Sequence, residues 1–208
     1  MPVTINGSGT ITGISVGGLP DGIVDTDMLA ANAVATAKIA DGAVTSVKST
    51  GLGGLAMADQ WRVSSDNGET NDSTIGGWER NDNNFAQIGT GMTESSGIFT
   101  FPATGIYKVD FHVSSRRAAN QNLNYVRYRL QLATDGGTNY NDVAKSSGQM
   151  ASAGDNQETF TCGNAIIDVT NATNFKVKLK VTAATHVRPL YSSSINESYL
   201  TFLKLGDT

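Results

Sequence analysis

Side chains able to do chemistry are few in this sequence, and their neighbours do little to activate them. There are two histidines, His112 and His186, and one cysteine, Cys162. A nucleophile–base pair needs a hydroxyl or thiol held against an imidazole whose other nitrogen is oriented by a third group. Ser114 and Ser115 follow His112, but alternation places His112 and Ser114 on the polar side of a strand, with nothing to orient the ring. His186 lies in a Thr-His-Val-Arg-Pro loop. Cys162, in Phe160-Thr161-Cys162-Gly163, reads as a core thiol rather than a catalytic one. The expectation is a chain that is not an enzyme and needs no cofactor.

Hard oxygen ligands are more plentiful. Loops 66–72, 81–84 and 135–142 are rich in Asp and Asn, which suit Ca²⁺. No Asp-x-Asp-x-Asp-Gly loop occurs, however, and the same residues cap turns and tolerate left-handed backbone without any ion. The expectation is no metal, with calcium as the alternative. Gly17-Gly18 and Gly53-Gly54 are not followed by Lys-Ser/Thr, so no phosphate loop is present. Acidic residues cluster in turns rather than facing a groove, against a glycosidase pair. The alternating row Lys176, Lys178, Lys180 suits either an anionic polysaccharide or, preferably, a solvated strand edge protected by charge.

Composition points the same way. Of 208 residues, 39% are hydrophobic and only 16% charged, with 23 glycines, a neutral-polar, turn-rich β composition. The net charge of −4, with no block of Lys and Arg, speaks against nucleic acid, because phosphate binding needs a basic face. One cysteine forms no disulfide within the chain. No apolar run approaches the ~18 residues of a spanning helix, so no membrane insertion is expected. The residues after Met1 do not read as a leader, and folding in a cytoplasm is expected; the sequons at Asn171 and Asn196 then carry little meaning.

The elements are clearest in residues 97–114. Phe99 and Phe101 alternate with Ile98 and Thr100 until Pro102, which has no N–H to give a ladder. After Thr104-Gly105, residues Tyr107, Val109, Phe111 and Val113 face one way and Lys108, Asp110, His112 and Ser114 the other. Asp59–Ser64 is a candidate first strand. Val126, Tyr128, Leu130 and Leu132 point inward from another, and Asp135-Gly136-Gly137 signals a hairpin. Glu158–Val169 reads as a strand with a bulge near Gly163, and Phe175–Val181 as a further alternating strand. In the last strand Tyr199, Thr201, Leu203 and Leu205 share one face, with Leu200 and Phe202 on the other. Both faces are apolar, which predicts a subunit interface there. About eight strands and no helical pattern give a sandwich of jelly-roll type.

The motif Gly97, Phe99, Pro102, Gly105, Tyr107 and Phe111 resembles that of the globular head of the complement q subcomponent, within the tumour-necrosis-factor-like jelly rolls. Residues 198–205 are similar to that family's last strand. The resemblance covers roughly residues 56–208 and implies a compact, homotrimeric, non-enzymatic head; it implies no particular ligand.

Residues 1–21 hold Ile5, Ile11, Ile14 and Val16 among Gly, Ser and Thr, and predict short strands that either pair with other chains or stay disordered. Residues 22–51 repeat by tens: Val24, Val34 and Val44 coincide, as do Leu29 and Ile39. Such short units bury almost nothing alone and must stack or be shared between chains; a continuous helix over 26–40 is the alternative. The run from Ala33 to Thr45 resembles the Ala-Val-Thr-Thr-Ala-Lys-Ile-Ala-Asp-Gly repeats of bacteriophage fibre proteins, with Ala35 as a departure. Gly51-Leu52-Gly53-Gly54 is a linker.

The expected organisation is a virion-attachment segment at 1–21, a repeat stalk at 22–55 and a jelly-roll head at 56–208. All belong to a homotrimeric bacteriophage surface fibre, localised in the virion and bound to other virion proteins through its amino terminus. Its trimer interface would use Val24, Leu29, Val34, Ile39 and Val44 in the stalk, and Tyr199, Leu203 and Leu205 in the head. Trp61, Trp78, Arg116 and Arg117 are expected on an exposed surface recognising a host glycan or protein, since binding energy concentrates in aromatic and Arg anchors. A monomeric carbohydrate-binding module is the alternative.

Overall fold

The computed structural model describes residues 55–68, 72–117, 125–150, 157–182 and 187–208, together with Thr4, Ile5, Ile11, Thr12, Val34, Ile39, Ala40 and Ala43. Its contacts divide the chain into two units, Met1–Leu52 and Gly53–Thr208.

In the first unit, β1 (Thr4–Ile5) pairs antiparallel with β2 (Ile11–Thr12). Val34 and Ile39 are exposed. Val24, Leu29 and Val44 lie outside the described residues, as does most of the decapeptide block, so the choice between stacked units and a helix does too.

The second unit is all β among its described residues. One sheet runs β10 (Glu158–Val169), β7 (Gly105–Arg117), β13 (Ser198–Gly206), β3 (Met57–Val63), β4 (Trp78–Arg80), with β12 (Val187–Pro189) also paired to β7. The other runs β5 (Thr93–Ser95), β6 (Ile98–Thr100), β11 (Lys176–Thr182), β8 (Tyr125–Ala133), β9 (Asn141–Gln149). Every pairing is antiparallel. Strands β4, β5 and β12 have three residues each, too few to show a period, which is why the sequence suggests fewer strands.

Inward side chains of both sheets form one core. Phe99 sits at its centre: its ring meets Trp61 and Trp78 edge-on, each at 5.5 Å, and Phe202 at 5.1 Å. Phe101 packs on Tyr107 at 4.8 Å. Offset and edge-on rings bring positive ring edges to negative faces, so these contacts add to the burial.

Strands β6 and β7 do not pair with one another. The chain crosses from one sheet to the other through Pro102–Thr104, and Gly105 makes the entry possible. Its φ is +142°, and a Cβ there would stand 2.3 Å from Lys204 Cε and 2.6 Å from the Gly206 carbonyl oxygen. From Gly105 on, β7 alternates buried and half-buried over its whole length.

Two strands depart from simple expectation. In β8 the register with β9 shifts between Leu130 and Gln131. Gln131 keeps its outward place opposite Lys178 of β11 and is covered there, donating from Nε2 to Asp142 Oδ1 at 2.8 Å, while Leu132 stays inward opposite Val177 and is partly buried. In β10 the register with β7 runs unbroken from Glu158 opposite Arg116 to Val169 opposite Gly105, so no bulge exists at Gly163. The glycine serves close approach instead: a Cβ there would lie 2.7 Å from the Phe111 ring.

Candidate functional site

The outer face of the six-stranded sheet is built from the outward positions of β10, β7 and β13. Cys162, His112 and Tyr199 stand directly opposite one another across the three strands. The His112 ring is stacked between Phe160 at 5.5 Å and 7° and Tyr199 at 5.1 Å and 3°. One row along, Asn164, Asp110, Thr201 and Gln60 align, with Gln60 Nε2 donating to Thr201 Oγ1 at 2.8 Å. Beyond that, Ile166, Lys108 and Leu203 align, and the Lys108 ammonium pairs with Asp110 at 3.0 Å. A shallow depression of about 510 Å³ runs along these rows. Phe160 is 63% exposed and Ile166 67%, so apolar side chains face water in the single chain on either side of the polar Asn164–Asp110–Thr201 row.

The outer face of the five-stranded sheet differs. Lys180 and Arg129 share Asp72, at 3.1 and 2.9 Å; Lys176 donates to Thr100 Oγ1 at 2.8 Å; Lys178 lies 3.8 Å over the Tyr140 ring. The lysine row is thus engaged within the chain. It is no edge either, because β11 is paired on both sides. The hydrogen bond from Lys180 holds the Asp72 carboxyl below its usual range. In the 135–142 loop the Asp135 carboxylate accepts from the Asn139 and Thr138 backbone N–H groups at 3.1 and 3.0 Å and from Asn139 Nδ2 at 2.8 Å. These bonds hold it below its usual range, the Asn139 backbone bond foremost. Among the described residues no three His, Cys, Asp or Glu side chains are grouped to hold a metal ion.

Of the residues expected at the head's interface, Tyr199 and Leu203 lie on the outer face just described, while Leu205 falls where the register with β7 shifts and is simply exposed. The expected recognition residues are split. Trp78 is buried and donates from Nε1 to the Ile75 carbonyl at 2.8 Å, so it is a core residue, not an exposed one. Arg117 is wholly buried, because it shares the inward parity of Val113 and Ser115 along β7. Trp61 is half-buried, with its edge on Phe99 and the Arg80 guanidinium 4.6 Å over its ring. Arg116 alone reaches outward as expected, paired with Glu158. Cys162 corrects the other way: it is an exposed thiol, while Thr161 beside it is buried. Counting back from Ile167 and Val169 in steps of two finds Thr161 inward and Phe160, Cys162 and Ile166 outward.

No protein-family model matches this chain, and no curated protein sequence matches it. Solved structures do. Eiger TNF from S. frugiperda superposes with a TM-score of 0.56 at 12% identity, covering 74% of this chain and 95% of that one. Murine APRIL does so with a TM-score of 0.50 at 12% identity in a crystal at pH 8.5, covering 72% and 98%. A second APRIL crystal, at pH 5.0, gives 0.50 at 13% identity over the same shares. The head therefore has a tumour-necrosis-factor-like jelly-roll fold, as its opening motif implies. At such identity the likeness is one of fold alone.

Proposed function

We propose that this chain is a structural, non-enzymatic protein whose head assembles as a homotrimer through the outer face of its six-stranded sheet. The observation that carries the reading is that the Phe160–His112–Tyr199 ring stack, and Ile166 beside Leu203 two rows beyond it, meet water in the single chain. Monomeric soluble proteins rarely leave wide apolar patches in water, and a second and third copy would cover these side chains. Three is the number implied by the resemblance to complement q heads. The decapeptide resemblance supports an amino-terminal stalk that anchors the head to other proteins of a bacteriophage particle. The head would then attach to a host surface or decorate the virion.

Sedimentation equilibrium of the full chain tests the assembly. The expected mass is that of three chains. Phe160→Asp combined with Ile166→Asp should weaken the association, raising the share of single chains at low concentration, with far-ultraviolet dichroism unchanged. Wild-type protein that sediments as one chain at every concentration would refute the trimer and favour the monomeric carbohydrate-binding module. Antibody against the head should label an appendage of the parent particle in electron micrographs; particles free of label would remove the virion assignment.

A further inference from the structure

At the end of the outer face, strand β12 lies alongside β7, and Arg188 stands directly opposite Arg116. Like charges so placed destabilise a sheet, so the pair needs compensation. Each guanidinium has its own carboxylate. Arg116 Nε and Nη2 donate to Glu158 Oε1 at 2.9 and 2.6 Å, and Arg188 Nη1 donates to Asp66 Oδ2 at 3.1 Å. The chain that follows β12 is tied down by Leu190 N–H to the Ser114 carbonyl at 2.8 Å and Ser192 N–H to the Val63 carbonyl at 3.0 Å. It thereby forms one wall of a polar cavity of about 440 Å³, lined by Arg116, Glu158, Arg188, Leu190, Tyr191 and Glu197. That volume lies within the range of small-molecule sites.

Two of the lining groups are uncommitted. The Tyr191 hydroxyl and the Glu197 carboxylate form no hydrogen bond or ion pair with the described residues, although Glu197 shares the cavity with two guanidiniums. Tyr191 is 44% exposed. The lining thus offers donors and acceptors together, and its two arginines and two glutamates cancel in charge. A purely anionic ligand gains little there. Adjacent hydroxyls of a pyranose ring fit better, because one pair can accept from a guanidinium fork and donate to a carboxylate, while the C–H face of the sugar covers an aromatic ring.

We infer that the cavity between Arg116, Arg188, Tyr191 and Glu197 binds an uncharged hexose, presented as a terminal residue of a surface glycan. This gives the attachment reading above its ligand class and rests on that reading for its biological sense, but the cavity belongs to one chain. Saturation-transfer NMR on the full chain tests it, with the methyl glycosides of glucose, galactose, mannose and N-acetylglucosamine, and with glucuronate and sulfate as charged probes. At least one methyl glycoside should bind. Tyr191→Ala and Glu197→Gln should each weaken it about tenfold, since each removes a group the sugar would engage. Sedimentation of both variants should match the wild type, which separates loss of the site from loss of assembly. Absence of transfer to every methyl glycoside would overturn the inference. So would preferential binding of glucuronate or sulfate, or binding left unchanged by both variants.

Discussion

On the five-stranded sheet, the water-facing side chains answer one another: Lys180 and Arg129 with Asp72, Lys178 with Tyr140, Arg127 with Ser147 and Tyr125. On the six-stranded sheet Lys108 likewise answers Asp110 and Gln60 answers Thr201, but Phe160 and Ile166 beside them stand largely in water. Alternation runs through the central strands of both, β7 and β11 alike, so period alone does not tell them apart. The difference lies in whether the outward side chains complete one another within the chain. Where they do, the face is finished. Where they do not, apolar surface meets water in the single chain.

The comparison can be pressed at four points. Phe99→Ala, at the core that both sheets share, should cost about 3–5 kcal/mol by denaturant titration, whatever the state of either outer face. A smaller loss at this position would mean that the sheets are held mainly from outside. Next comes Gly163→Ala, which drives a methyl group into the Phe111 ring and should cost about 1–3 kcal/mol in the same assay. Cys162 offers a reporter on the unfinished face. If other copies cover that face, maleimide should label wild-type Cys162 about tenfold more slowly than the Phe160→Asp/Ile166→Asp variant, because the reaction requires an accessible thiolate. Equal rates would leave the face open.

The smallest effect belongs to the finished face. The Asp72 carboxyl is held below its ordinary range by Lys180, then by Arg129. Its stabilising contribution is present above the pKa of the unfolded carboxylate and is lost as pH falls through the folded value. Asp72→Asn should therefore lower the melting temperature slightly at neutral pH, and the gap should close in strong acid. A gap that persists in acid would assign the effect to something other than the ion pairs.

Much of the head is legible by counting in twos. The whole of β7, the inward Leu200 and Phe202 of β13 and the limits of β10 follow from alternation. The same count, carried four residues beyond Val113, turns Arg117 inward; a basic residue at a strand end simply reads as exposed until that is done. Trp78 lies in a strand of three residues and offers no period to count. The ring stack on His112 is a matter of register, joining residues 160, 112 and 199 from three distant segments. The Arg116–Arg188 cavity is less visible still, because its walls come from four segments and its character from groups that form no bond with the described residues.

The place of β13 has a further consequence. Among the described residues, strands β7 and β3 are joined in their sheet through Tyr199–Lys204 of β13, which is synthesised well after both. Until then the nascent head has two bare edges and a core open along its middle, a dangerous intermediate at high concentration. A polypeptide cut short before Ser198 would lack the keystone of its sheet, so premature termination should yield aggregate or protease substrate rather than a smaller working head.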